Sequence, residues 1–193
     1  MTKPEKAKPS GSAVFMYCII GICALAAAVS FTLYYGNFAE SLLFLWVGIV
    51  TFTITYHLWM RIIMGNVSKL FKVSYKHLWF KEKAFEKKLY TFLKVKKWKG
   101  KALTYNPELY SVKDRTLEEI ADTTAKSELD HWINILISAS TVAFGFIWGE
   151  IWIFSLTAFL AAVFDSQFII IQRYNRPRLI RLINREKKLK AGR

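Results

Sequence analysis

The sequence contains few cysteines, and this shortage argues against two kinds of stabilising site. The two cysteines, Cys18 and Cys23, both stand inside one uncharged apolar run. They form no metal-binding pattern, and a five-residue offset on a helix points the two thiols apart, so a disulfide is not expected. We interpret both as small packing or lipid-facing residues, and we predict neither a metal site nor a cofactor.

Acidic residues are also scarce, at 14 against 28 lysines and arginines, and the formal net charge is +14. At the same time 53% of the 193 residues are hydrophobic, a combination that soluble domains rarely show. The two properties are compatible when apolar residues form long blocks and charge is confined between them, which is the layout of this sequence. The length suits one compact unit.

Four apolar runs have about the length that a membrane-spanning helix needs, which is about 20 residues. They cover residues 13–35, 41–64, 132–148 and 151–171. A cleaved signal peptide is the alternative for the first run, but the run is longer than a typical signal-peptide core and a second run follows closely.

Two short turns join these runs in pairs, at residues 36–37 and 149–150, and each contains a glycine. Short connections between helices favour antiparallel neighbours. The pattern therefore predicts an all-α integral membrane protein with four transmembrane helices in two hairpins, at residues 13–65 and 131–172.

The basic residues all lie on one side of these predicted spans. Residues 1–12 contain three lysines, residues 66–101 contain twelve, and residues 173–193 contain nine lysines and arginines, whereas the two turns contain none. Segments rich in lysine and arginine stay in the cytoplasm, and an even number of spans puts both termini on the same side. The sequence predicts a multi-pass protein of the cell membrane with cytoplasmic tails at residues 1–12 and 173–193.

The segment between the hairpins, residues 66–130, begins with a basic stretch that has helical periodicity. Six apolar residues recur at steps of three, four or seven and lysines fill the other helical face; the six are Phe71, Tyr75, Leu78, Phe85, Leu89 and Phe92. This pattern predicts a basic amphipathic helix that lies in the membrane interface and attracts anionic lipids. Such a helix is either an anchor alone or also a surface for a polyanionic substrate. Nucleic acid is not an expected partner, because aromatic side chains in lipid cannot stack on bases.

A helix start is encoded at Thr116. The sequence Thr-Leu-Glu-Glu matches a capping box, in which Thr116 and Glu119 satisfy each other's backbone N–H groups. We expect a helix that begins at Leu117 and leads into the third span with little or no break.

Ionisable side chains inside spans are costly and point to function. His57, His131 and Asp165 are such residues. Counted from the outer turns at 1.5 Å per residue, all three lie at about the same depth, ~24–27 Å from the outer surface. We therefore expect them in one layer at the cytoplasmic edge of the hydrocarbon, although His57 has the alternative of snorkelling between headgroups.

Glu128 precedes His131 by three residues, which places both on one helix face. A carboxylate beside an imidazole fixes its tautomer and raises its basicity, as a general base requires. A purely structural pair is the alternative.

Three blocks of sequence resemble the glycosyl-4,4'-diaponeurosporenoate acyltransferases of carotenoid biosynthesis. They are Val-Lys-Lys-Trp-Lys at 95–99, Glu-Leu-Asp-His-Trp-Ile at 128–133, and Ile-Gln-Arg-Tyr-Asn-Arg-Pro-Arg-Leu at 171–179. The resemblance covers roughly residues 80–185 and does not support His57. The family tends to have a carboxylate near position 123, where this sequence has Asp122 as a candidate.

The resemblance implies a membrane acyltransferase that moves a fatty acyl group to a sugar hydroxyl of a lipid or glycolipid, with acyl-CoA or acyl carrier protein as donor. His131 would take the hydroxyl proton and Glu128 would orient it. Arg173, Asn175 and Arg176 would hold the oxyanion or the donor phosphates. The residues assigned to substrate binding are Gln172, Tyr174, Arg178, Trp132, Trp98, Lys99, Asp165 and His57.

Other functions stay open at this point. The sequence lacks Gly-x-Ser-x-Gly, and it lacks a histidine followed four residues later by aspartate, the usual acyltransferase pair. A non-enzymatic scaffold or lipid-binding subunit with a basic cytoplasmic surface is one alternative. Transfer of a phosphate-linked headgroup is another, because arginines bind phosphates well.

Overall fold

The computed structural model describes residues 11–38, 41–102 and 107–192, and within these ranges the regular structure is helical and contains no strand. The α-helices are α1 (Gly11–Tyr35), α2 (Leu42–Val67), α3 (Glu86–Phe92), α4 (Val95–Trp98), α5 (Leu117–Ser140), α6 (Gly145–Trp148) and α7 (Ile151–Ala191). Short 3-10 helices cover Ser68–Leu70, Leu78–Phe80, Lys99–Lys101, Pro107–Tyr110 and Thr141–Phe144. The predicted tail 1–12 falls almost entirely outside the described residues.

Four helical stretches are long and apolar enough to cross a membrane. They are Val14–Tyr35, Leu42–Leu70, Leu117–Trp148 and Ile151–Ala191. The predicted all-α membrane class is thereby confirmed. The hairpin arrangement and the segment boundaries stay predictions.

The chain turns between α6 and α7 at the predicted glycine. Gly149 adopts φ 72° and ψ −152°, a backbone region that is essentially restricted to glycine. Glu150 follows with φ 51°, and its carbonyl accepts the N–H of Ile153 at 2.9 Å, which begins α7. After α1 the backbone also becomes left-handed, at Asn37 with φ 56°.

The predicted capping box forms at the start of α5. The Thr116 N–H donates to Glu119 Oε2 at 2.8 Å, and the Glu119 N–H donates to Thr116 Oγ1 at 3.2 Å. Two backbone donors that the first helical turn leaves unpaired are thus satisfied. The helix then runs without a break from Leu117 to Ser140, as predicted.

The prediction of one amphipathic helix in residues 66–101 is wrong. The segment consists of short helical pieces, and Lys94 with φ 50° separates α3 from α4. Tyr75 of the predicted apolar face is buried, but most of that face is exposed, and Glu86 and Tyr90 are buried instead. Contacts with α5 and α7, described below, stabilise these pieces, and such tertiary contacts override the local period.

Helix α7 is longer than the predicted fourth span. It continues for 41 residues from Ile151 to Ala191 and contains Pro177 in its interior. The basic residues from Arg173 to Lys190 therefore belong to a helix and not to an irregular tail. Ile183 in this extension is 1% exposed and part of an apolar core, so packing holds the extension in place.

The first of two compact units comprises the described residues of 1–62 and 140–157. Its core consists of Leu45 and Ile49 from α2 together with Ile153 and Phe154 from α7. Trp148 stacks on Phe31 with ring centroids 5.4 Å apart. Aromatic pairs of this kind contribute about 0.5–1.5 kcal/mol beyond the area that they bury.

The second unit comprises the described residues of 63–139 and 158–193. Its apolar core contains the small residues Ala121 and Ala125 of α5, which allow close packing with Ile183 of α7. Tyr75 and Phe80 of the middle segment complete this core. The backbone N–H of Tyr75 also donates to Asp122 Oδ1 at 2.8 Å, so this carboxylate holds the middle segment.

A buried ion-pair network lies beside this core. Glu128 is fully buried, and its carboxylate lies 3.2 Å from Arg173 Nε and 2.7 Å from Arg176 Nη1. Arg176, 1% exposed, also donates from Nη2 to the carbonyl of Thr124 at 3.0 Å and from Nη1 to that of Phe80 at 3.2 Å. Arg173 donates from Nη1 to Glu86 Oε1 at 2.9 Å. The network connects α5, α7 and the middle segment.

We expect Glu128→Gln to destabilise the protein strongly. The substitution leaves two buried guanidinium groups without their shared carboxylate, and breaking a buried pair costs about 3–5 kcal/mol. Thermal unfolding in detergent should then occur roughly 10 °C lower. Glu186→Gln is the matched control, because Glu186 pairs only with the exposed Lys190 at 2.6 Å among the described residues. Equal stabilities of the two variants would contradict the structural role of Glu128.

Candidate functional site

His131 and Asp165 form a close pair in the second unit. His131 Nδ1 of α5 lies 2.8 Å from Asp165 Oδ1 of α7. The imidazole is 21% exposed, whereas the carboxylate is 1% exposed. The imidazole also stacks on Phe168, with ring centroids 4.7 Å apart and an interplanar angle of 8°. Two side chains of α7 thus fix both the position and the plane of the ring.

This geometry determines which nitrogen of His131 can accept a proton. In the tautomer whose Nδ1–H donates to the Asp165 carboxylate, the lone pair of the imidazole stands on Nε2. The nitrogen that can act as a base therefore faces away from Asp165. A partly exposed imidazole held by a buried carboxylate is an arrangement suited to general-base catalysis.

The predicted pairing of Glu128 with His131 is wrong. Their three-residue spacing puts both on one side of α5, but the Glu128 carboxylate pairs with Arg173 and Arg176. A fully buried carboxylate needs cationic partners, and two guanidinium groups supply that charge better than one imidazole does. The carboxylate that contacts His131 is that of Asp165 and not, as predicted, that of Glu128.

The same network removes Arg176 from the predicted set of substrate ligands. This guanidinium is almost fully buried, and its donors point to protein atoms. Arg173 is similarly engaged, since it also donates to the carbonyl of Trp79 at 2.6 Å. The prediction that these two arginines hold an oxyanion or phosphates is therefore not supported, because their charge is neutralised by Glu86 and Glu128.

Gln172 lies between the ion-pair network and His131. Its Nε2 donates to the Tyr110 hydroxyl at 3.1 Å and to Ser127 Oγ at 3.3 Å. Ser127 precedes His131 by one helical turn, so these groups lie on the His131 side of α5. Both hydroxyl oxygens accept from Gln172, which leaves their O–H groups able to donate to another acceptor.

Lys99 and Asn175 contact each other directly. Lys99 Nζ donates to Asn175 Oδ1 at 2.7 Å and stands 4.8 Å from the centroid of the Tyr174 ring. Tyr174 in turn contacts Tyr90 edge-on at 5.3 Å. Burial and the hydrogen bond to Glu86 raise the pKa of Tyr90, so its hydroxyl stays protonated and donates. Asn175 and Tyr174 thus meet the middle segment through Lys99 and Tyr90.

The other predicted ligands differ in accessibility. Trp98 donates from Nε1 to the carbonyl of Leu93 at 2.9 Å, which closes the turn after α3. Trp132 is 38% exposed and meets Trp79 edge-on at 6.2 Å. Arg178 is exposed. His57 is buried on α2 in the first unit, and its predicted role in binding stays a prediction.

Sequence reasoning missed Asp165 as the partner of His131, and it missed Glu86, Ser127 and Tyr110 altogether. The signal for the first was present, since Asp165, Phe168, Gln172 and Arg176 recur at steps of three and four on α7. These steps mark one helix face. Tyr110 ends a 3-10 helix of four residues, which is too short for a sequence period to indicate the direction of its side chain. Among the described residues, no group of three metal-ligating side chains is placed to hold a metal ion.

Comparisons with known proteins agree with the three sequence blocks. A family model described as glycosyl-4,4'-diaponeurosporenoate acyltransferase matches residues 76–185. Proteins of that name from Staphylococcus aureus strains bovine RF122 / ET3-1 and MRSA252 are each 33% identical over 120 residues, which is 56% of this chain and 70% of theirs. No solved structure matches the chain. The matched range contains the His131–Asp165 pair and the buried ion-pair network. The match favours an enzyme over a scaffold. The chain belongs to the glycosyl-4,4'-diaponeurosporenoate acyltransferase family and is an acyltransferase.

Proposed function

We propose that this acyltransferase moves a fatty acyl group from a thioester donor, acyl-CoA or acyl carrier protein, to a hydroxyl of a glycolipid or glycosylated carotenoid at the inner leaflet. The observation that carries the proposal is the 2.8 Å contact between His131 Nδ1 and the buried Asp165 carboxylate. It supplies an oriented base on a partly exposed surface, as transfer to an alcohol requires.

The reaction would proceed in two proton-coupled steps. His131 Nε2 takes the proton of the acceptor hydroxyl as the alkoxide oxygen attacks the thioester carbonyl. The tetrahedral intermediate then collapses, the carbon–sulfur bond breaks, and the imidazolium returns its proton to the leaving thiolate. Asp165 remains ionised throughout and stabilises the imidazolium without touching the substrate, so it is a positioning residue.

Donors for the oxyanion would come from Tyr110 and Ser127. Their hydroxyl oxygens accept hydrogen bonds from Gln172, which fixes their positions while their own O–H groups remain available. This assignment replaces Arg173 and Arg176, whose charges are already neutralised.

The acceptor is proposed from the name of the relatives, whose substrate is a glycosyl carotenoid acid. Trp132 directly follows His131, and both it and Trp79 expose about 40–50% of their surface. Exposed indole rings pack against the apolar faces of sugars, so this pair would hold the glycosyl group near the base.

The location follows from the basic residues. The lysines of residues 66–101 and the basic residues of 173–192 belong to the second unit, which also contains His131. Segments of this charge stay on the cytoplasmic side of the cell membrane. The active site would therefore face the cytoplasm, together with both termini.

We expect His131→Ala to lower the rate of acyl transfer by about 10²–10⁴-fold, because the base is lost. Asp165→Asn should also lower it by about 10²-fold or more, because an amide that donates to Nδ1 moves the hydrogen to Nε2. Transfer of a radiolabelled acyl group is measured in membranes at matched protein level. Lys113→Ala is the control, since Lys113 is exposed and lies outside the proposed site. Unchanged rates in both site variants, or a mere loss of thermal stability in Asp165→Asn, would contradict the assignment.

Lipid extracts from cells with and without the gene should differ by one added acyl mass on a glycolipid or glycosylated carotenoid. Mass spectrometry of the intact lipids measures this difference, and cells that express His131→Ala serve as the control. A changed phosphate-linked headgroup with no added acyl group would sink the proposed reaction.

The proposed topology makes its own prediction. Single cysteines introduced at Lys190 and Glu150, in a protein that lacks Cys18 and Cys23, should react differently with a membrane-impermeant maleimide. We expect labelling of intact spheroplasts at position 150 only, and labelling at position 190 after lysis. The opposite pattern would place the active site on the outer side.

A further inference from the structure

Three cations gather beside α7 without a carboxylate among them. Lys99 contacts Asn175, and Arg178 lies one turn beyond Asn175 on the same face of α7. Lys96 precedes Lys99 by three residues on the adjoining helical turn. Among the described residues, no carboxylate lies within ion-pair distance of these three side chains. We call Lys96, Lys99 and Arg178 the cation cluster.

Lys99 is the fixed member of this cluster. The hydrogen bond to Asn175 Oδ1 uses one of its three ammonium donors, and the Tyr174 ring lies 4.8 Å from its Nζ. An ammonium group held on two sides loses little further freedom when a ligand binds. Lys96 and Arg178 are exposed and can close on the same ligand.

The cations of the cluster oppose one another. Partial burial lowers the pKa of Lys99, and the charges of Arg178 and Lys96 lower it further. A bound anion would reverse this effect and raise that pKa, because it favours the charged form. Arg173 and Arg176 differ in this respect, since Glu86 and Glu128 already neutralise them. The cluster, and not these two arginines, therefore has the charge to bind a phosphate.

The distance along α7 distinguishes between kinds of phosphate-bearing donor. Asn175 follows Asp165 by ten residues, which corresponds to ~15 Å along one helix. In a phosphopantetheine thioester the reacting carbonyl and the phosphate stand at opposite ends of a long flexible arm. In a phospholipid only a few bonds of the glycerol separate an acyl carbonyl from the phosphate, so one molecule cannot reach both positions.

We propose that Lys96, Lys99 and Arg178 bind the phosphate of a phosphopantetheine thioester while its acyl carbonyl lies at His131. This inference rests on the proposed function and assigns the residues that bind the phosphate of its donor. The same separation excludes a phospholipid as the acyl donor, since its phosphate would not reach the cluster.

Three donors with one acyl chain test the proposal: acyl-CoA, acyl-phosphopantetheine and acyl-pantetheine, which lacks phosphate. Lys99→Gln retains an N–H donor for Asn175 but removes the charge. We expect it to raise KM for the two phosphorylated donors about tenfold, the worth of one charge-assisted hydrogen bond, with kcat little changed. Its KM for acyl-pantetheine should equal that of the unmodified protein. Arg178→Gln should behave alike, and the exposed Lys113→Gln is the matched control.

Two results of the transfer assay would overturn the proposal, and a binding measurement tests it separately. An equal rise in KM for acyl-pantetheine would mean that Lys99 acts through structure and not through phosphate. Transfer from a labelled phospholipid that Lys99→Gln abolishes would assign the cluster to a lipid headgroup. Binding of CoA to the purified protein, measured by equilibrium dialysis, is independent of turnover: weaker binding in Lys99→Gln than in Lys113→Gln supports the site even if the proposed reaction fails, and equal binding refutes it.

Discussion

The carboxylate of Glu128 is buried on α5 and faces two guanidinium groups of α7, and the second unit is organised around this contact. Arg173 extends the network to Glu86, and Arg176 extends it to the carbonyl of Phe80, so the middle segment is tied to both long helices. Charged side chains that are buried inside a protein are tolerated only when each has a partner of opposite charge. The need to pair them therefore specifies how the three parts of the unit fit together.

The contact also sets the register of α5 against α7. Arg176 meets Glu128 and Thr124, Gln172 meets Ser127, and Asp165 meets His131. From Arg176–Thr124 through Gln172–Ser127 to Asp165–His131, the contacts advance along α5 as they retreat along α7, as antiparallel neighbours do. A shift of α5 by one residue relative to α7 would rotate its polar face by about 100° and break all of these contacts at once. His131 is thus positioned by contacts that lie two or three turns away from it.

The sequence was sufficient for features that depend on local composition. Four apolar blocks predicted the spans, the threonine–glutamate pair predicted the start of α5, and glycine predicted the turn at residue 149. It was insufficient where partners compete. Glu128 has an imidazole one turn away and two arginines far along the chain, and only the packing of α5 on α7 decides between them. In the middle segment an apparent helical period over residues 71–92 yielded to tertiary contacts that bury Tyr75, Phe80 and Tyr90.

Pro177 interrupts the backbone hydrogen bonding of α7. A proline has no backbone N–H, so the hydrogen bond that would reach the carbonyl of Arg173 is missing at this point of the helix. Asn175, which holds Lys99, stands before this point, and Arg178 stands after it. Flexure at the proline would widen or narrow the gap between Lys99 and Arg178, while Asp165 and His131, three turns earlier, would remain undisturbed.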